Sequence, residues 1–136
     1  MKEFSLGKEE KLKSRKEVGI LFANGKSVGV FPIRVSYRFL PVGEGERAGL
    51  QVGVSASKRN FKRAVDRNRI KRLLREAYRL QKKDLLAHLE KEGLKGFVFF
   101  LYVDKTLPPY ATVFQTMGKC LRTLQKKAQQ THENPS

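Results

Sequence analysis

The chain has 136 residues, 40% of them apolar, with 29 Lys and Arg against 13 Asp and Glu and a formal charge of +16; that length holds one domain with one modest core. Self-repulsion at such a charge opposes folding, so the excess points to an anionic partner, and nucleic acid ranks ahead of an acidic membrane surface. No apolar run is long enough to span a membrane, the start Met1 to Leu6 is too polar for a signal-peptide core, and Cys120, the lone cysteine, cannot form an internal disulfide, so the expectation is a cytoplasmic protein in a reducing compartment.

Residues 1–10 and 126–136 are polar and are expected to be flexible ends around a domain over 11–125. Ser14 can cap a helix to about Asn24, with Val18, Leu21 and Phe22 on one face and Gly25 able to end it. Phe31, Ile33, Val35, Tyr37 and Phe39 then alternate with polar residues and Pro32, which predicts a strand with one buried face. The turn residues Pro41 to Glu46 suggest a hairpin connection to a second strand, with Leu50, Val52, Val54 and Ala56 inward and Gln51, Gly53, Ser55 and Ser57 outward. A basic loop, Lys58 to Arg63, leads to a long helix over about Ala64–Leu80, with a continuation to Glu90 left open. Glu92 to Gly96 breaks the pattern. Phe97 to Val103 is continuously apolar and predicts a strand covered on both faces. Pro108-Pro109 opens a last helix, about Tyr110–Lys126, whose core side carries Val113, Met117, Leu121 and Leu124. Cys120 in that helix reads as a buried small hydrophobe.

The segment from Ser57 to Arg79 carries the functional signal. At 100° per residue, Ile70, Leu73, Leu74 and Ala77 cluster and must face the sheet. Asn68, Arg72, Arg75 and Arg79 line the opposite side, with Arg67 and Lys71 along one flank and Arg69 along the other. Like charges at these spacings weaken an isolated helix, whereas a polyphosphate converts the repulsion into attraction by releasing counterions, and guanidinium groups pair with phosphate through two parallel hydrogen bonds. A solvated charged face would mix signs; this one is nearly all positive. Helix-turn-helix spacing, zinc ligands and dimerising heptads, which would favour sequence-specific DNA reading, are not found.

At these residues the chain resembles the ribonuclease P protein component. Arg67-Asn68-Arg69, followed by Lys71-Arg72, Arg75 and Glu76, is similar to that family's signature helix. Leu21-Phe22 with Gly25, then Phe31 and Ile33, then Val54 to Arg59, match its earlier elements in order, and the likeness runs from about Leu12 to Thr123. The resemblance implies an α+β fold: a single-domain α–β sandwich of about four strands and three helices, like ribosomal protein S5 domain 2, with a left-handed strand–helix–strand crossover. It implies a protein subunit without catalytic residues of its own. A catalytic RNA partner performs the endonucleolytic cut that removes the 5′ leader of precursor tRNA, with Mg²⁺ in the RNA-containing holoenzyme and no cofactor or metal held by the protein alone. No membrane and no protein partner is required.

Carried over by position, Arg67, Asn68, Arg69, Lys71, Arg72 and Arg75, with Arg79 from the same ridge, are expected to contact the catalytic RNA. Phe22, Arg34, Arg38, Lys58 and Arg59 are expected to contact the leader, and Phe22 is read equally as a core residue. Arg34 and Val18 stand where the family often has aromatics, and the loop Asn60-Phe61-Lys62-Arg63 departs from its usual form, so leader binding is expected to lean on charge. Asp66 complements a helix dipole, Glu76 is a partner for Arg72 or Arg79, Asp104 ends a strand alone, and His88 and His132 are far apart in sequence, so no nuclease centre is expected. The alternatives are a ribosome-associated or other structural RNA-binding protein without a catalytic partner, and a DNA-compacting protein.

Overall fold

The computed structural model describes residues 25–133. The expected first helix, with Phe22 and Val18, lies outside them, as does the expected flexible segment 1–10. The described elements are β1 (Lys26–Val30), β2 (Ile33–Pro41), β3 (Gly49–Ala56), α1 (Ala64–Gln81), α2 (Lys83–Glu92), β4 (Leu94–Tyr102) and α3 (Tyr110–Glu133). They build a four-stranded mixed sheet in the order β1-β2-β4-β3, with β4 antiparallel to β2 and parallel to β3.

Alternation decides which face of the sheet is covered. Ile33, Val35, Tyr37 and Phe39 of β2, Leu50, Val52 and Ala56 of β3, and Leu94, Val98, Phe100 and Tyr102 of β4 are all buried. They share one core with Ile70, Leu74, Ala77 and Tyr78 of α1, Leu85 and Leu89 of α2, and Val113, Met117, Cys120, Leu121 and Leu124 of α3. The expected inward residues of the strands and of the last helix are thus in the core, except that Val54 is only partly buried against it and Phe31 is exposed.

Several expectations change, and the extent of the long helix, left open above, is decided. β1 was not read from the sequence, and the strand expected from Phe31 begins at Ile33: pairing of Val30 with Ile33 leaves Phe31 and Pro32 as the turn, joined by a cis peptide bond, with Phe31 73% exposed. The segment after Pro41 is not a hairpin. It is tied across the start of β4 by the bond from Val42 N to Gly93 O (2.9 Å), and β4 enters between β2 and β3. The long helix ends at Gln81, and α2 is a separate helix ended by Gly93 in the left-handed region (φ 65°), whose N–H caps the Glu90 carbonyl. On β4, buried residues alternate with half-buried ones, so that strand is fully covered on one face only. The last helix runs past Lys126 to Glu133, and Ala128 is buried, so helical structure extends into the segment expected to be a flexible tail.

Gly96, expected to break the pattern, is instead a packing residue of β4. It lies between Phe39 and Leu50 in the register, and a Cβ there would come within 2.7 Å of atoms of both side chains. Overpacking of a closed core costs about 1–3 kcal/mol. Gly96→Ala should therefore lower the denaturant midpoint by that equivalent at unchanged slope; a midpoint equal to the parent's would show that the Phe39 ring and the Leu50 side chain yield freely.

Candidate nucleic-acid interface

The loop before α1 is fastened from both sides. Asn60 donates its side-chain amide to the carbonyls of Val103 (3.1 Å) and Asp104 (3.3 Å), at the end of β4. Phe61 is buried against Tyr102, ring centroids 6.0 Å apart, and its N–H bonds Ser57 O at 2.9 Å. Arg67 turns back from the first turn of α1 and donates to the carbonyls of Phe61 (2.8 Å) and Lys62 (2.9 Å). One guanidinium thus satisfies two loop acceptors, which would otherwise depend on water. Lys58, Arg59, Lys62 and Arg63 are left exposed around this anchored turn.

Along α1 the two faces separate as the periodicity requires. Ile70, Leu74, Ala77 and Tyr78 are buried and Leu73 is partly buried. Asn68, Arg69, Arg72 and Arg75 are exposed, while Lys71 and Arg79 are half-buried on the flanks. Glu76 pairs with Arg79 one turn on, not with Arg72. The Arg79 hydrogen bond holds the Glu76 carboxyl below the usual carboxylate range, and Glu76 raises Arg79 in return. Exposed as the pair is, it contributes little to stability. It does neutralise the ridge at its C-terminal end. Among the described residues no carboxylate pairs with Arg69, Arg72 or Arg75, so their donors face solvent.

The sheet face away from the helices is a second polar surface. By register, Arg34, Leu101 and Ser55 form one row across β2, β4 and β3; Ser36, Phe99 and Gly53 form the next; Arg38, Phe97 and Gln51 the third. Arg34 is exposed and Arg38 half-buried, and Lys58 and Arg59 follow shortly after the end of β3 on the same domain. Phe97 and Phe99 are aromatic members of this face that sequence reasoning missed. They were hidden in a run of apolar residues, yet the small outward residues Gly53 and Ser55 of the neighbouring strand were the signal that one face of β4 lies outside the core.

The remaining reactive groups serve the fold. Asp104 accepts from Lys105 N (2.7 Å) and Thr106 Oγ1 (3.3 Å) in its own turn. Burial pushes the Cys120 thiol up to about 12, which leaves no thiolate for nucleophilic work. Among the described residues no three His, Cys, Asp or Glu side chains cluster as metal ligands.

The family model for ribonuclease P matches residues 6–128. The chain belongs to the ribonuclease P protein family. The ribonuclease P protein component of Porphyromonas gingivalis is 42% identical over 119 residues, covering 87% of this chain and 85% of that one. That of Chlorobaculum tepidum is 37% identical over 103 residues, covering 72% and 67%. Among solved structures, the ribonuclease P protein of Staphylococcus aureus aligns with a TM-score of 0.64 at 18% identity, over 85% of this chain and 94% of that chain. That of Thermotoga maritima, in complex with 1-(4-fluorophenyl)-2-thiourea, aligns at 0.63 and 20% identity, over 82% and 97%. At those identities the two structures speak for the fold: the four-stranded sheet with its helices is that of ribonuclease P proteins.

Proposed function

We propose that this chain is the protein subunit of ribonuclease P, an accessory to an endoribonuclease whose cut is made by a catalytic RNA. In this reading Asn68, Arg69, Lys71, Arg72 and Arg75 hold that RNA. Arg67 and Arg79 shape the same surface, one through the loop it fastens and the other beside Glu76. The sheet face away from the described helices, with Arg34, Arg38, Lys58 and Arg59 and the Phe97 ring, receives the 5′ leader of precursor tRNA. Mg²⁺ belongs to the RNA-containing holoenzyme, and the working compartment is the cytoplasm.

The observation that carries the reading is α1 itself. Three arginines without carboxylate partners among the described residues stand on a helix whose other face packs into the core, in a chain matched by the family over residues 6–128. The division of labour follows from the chemistry. Cationic side chains bind phosphate and relieve repulsion between the catalytic RNA and the leader, which an RNA acting alone must screen with added cations. The half-buried Phe97 ring on the sheet offers a π-face to an unpaired base without reading its edge.

Reconstitution tests it. The purified protein, added to a bacterial ribonuclease P RNA and precursor tRNA at low Mg²⁺, should raise cleavage at the mature 5′ end by at least about tenfold, equivalent to about 1.4 kcal/mol in the barrier. Tight RNA binding with no gain in cleavage would instead favour a structural RNA-binding protein.

A further inference from the structure

Where the cationic ridge of α1 ends, the surface changes character. Six large apolar side chains are exposed among the described residues, and Leu80, Leu107, Tyr110 and Phe114 lie in two short stretches, one at the end of α1 and one at the start of α3. The stretches meet: Gln81 donates its side-chain amide to the Phe114 carbonyl (2.9 Å). Tyr110 and Phe114, one helical turn apart, hold their rings 5.9 Å between centroids and tilted by 51°. The core takes neither ring fully; Tyr110 is 38% and Phe114 36% exposed.

We propose that Tyr110 and Phe114 form a stacking platform for an unpaired base of the catalytic RNA, continuing the arginine surface of α1 around the end of the helix. The inference rests on the reading that α1 binds this RNA, and it adds a non-ionic contact to an ionic one. Three observations select RNA as the occupant. The platform adjoins the C-terminal end of the ridge, where Gln81, two residues beyond Arg79, holds the Phe114 carbonyl. α3 carries no Asp or Glu before Glu133, and its basic residues begin at Lys119, with Lys119 and Arg122 exposed, so beyond the platform the helix offers positive charge unopposed by carboxylates of its own. The patch is also small. Exposed by about 40% each, on side chains of roughly 150–250 Å², its four residues present on the order of 300 Å², well short of the roughly 800 Å² per partner that a stable protein interface buries. Neutralisation of Arg79 by Glu76 fits the same picture, since a base needs a flat apolar face there and not another phosphate ligand.

The chain has no tryptophan, so Phe114→Trp introduces a unique fluorophore at the platform while keeping an aromatic face. With the catalytic RNA, the Phe114→Trp protein should bind within about twofold of the parent, and its emission should be quenched on binding. Tyr110→Leu/Phe114→Leu should lose about 5- to 100-fold in affinity, the span expected for loss of base stacking, at an unchanged slope of log affinity against log salt. Parent-like affinity in the double leucine variant would overturn the proposal, as would a tryptophan indifferent to saturating RNA. Emission that follows protein concentration without RNA would assign the patch to a second copy, and emission that answers only to precursor tRNA would assign it to the substrate; either overturns it. Should the leucine variant unfold, the tryptophan arm still decides. Failure of the parent protein to bind the RNA would strike the underlying reading instead.

Discussion

Replacing Arg72 and Arg75 together by alanine is expected to weaken binding to the catalytic RNA by roughly tenfold per arginine at low salt, and to reduce the salt slope by about one per arginine. The two residues suit the test because the fold uses neither. Both are exposed, and neither has a carboxylate partner among the described residues. Their removal also relieves like-charge neighbours: Arg69 and Arg72, Arg72 and Arg75, Lys71 and Arg75, and Arg75 and Arg79 are three or four residues apart. Each such pair costs a few tenths of a kcal/mol, and alanine is the better helix former. Melting should stay within about 0.5 kcal/mol of the parent or rise slightly, while affinity falls. A drop in both would mean that the arginines hold the protein together. Arg67 and Arg79 are poorer choices: removing Arg67 frees two loop carbonyls, and removing Arg79 leaves Glu76 as an unpaired negative charge on the ridge.

Much of this surface was legible in the sequence because it depends on short-range periodicity. Ala64–Leu80 was the expected helix and Ala64–Gln81 is the observed one, since the aliphatic positions recur at helical spacing without interruption. The core sides of β2, β3 and α3 follow from the same arithmetic with periods of 2 and 3.6. Strand order is different in kind. Whether β3 pairs with β2 or with β4 depends on competition between distant segments, and β4, with Phe97, Val98, Phe99, Phe100 and Leu101 in succession, takes the centre of the sheet and displaces the local hairpin. β1 has only two apolar side chains in Lys-Ser-Val-Gly-Val, so it carries too little alternation to announce itself; its register with β2 defines it.

Side-chain hydrogen bonding was the least visible layer. Arg67 looked like one more cation of the ridge, and only the path of the loop shows it donating to Phe61 and Lys62. Lys82 is similar. As one of two adjacent lysines it reads as solvated, yet it is 4% exposed, with its Nζ 6.0 Å from the centre of the Tyr78 ring. A long aliphatic stem can be buried at a helix junction while the ammonium finds an aromatic face. Charge pattern thus traced the exposed cations of α1 but overstated how many of its cations stand free.

Leu74→Ala should strongly destabilise the fold. Leu74 is fully buried with Ile70, Ala77 and Tyr78 on the face of α1 that joins the core beneath the sheet. Loss of buried methyl groups with incomplete collapse of the space costs about 2–5 kcal/mol, a large share of the 5–15 kcal/mol that stabilises an ordinary domain. A fall in melting temperature of roughly 10–25 °C follows for a domain of this size. The salt slope for RNA binding, taken where the variant remains folded, should equal the parent's, because no cation has been removed. Leu74 and Arg72 are two residues apart, about 200° around the helix, and the expected effects divide cleanly: stability without ionic change at one, ionic change without stability loss at the other. If Leu74→Ala melted like the parent, α1 would be rotated about its axis from the orientation seen here. The arginines would then turn toward the sheet, and no surface of α1 would be left to meet a polyphosphate.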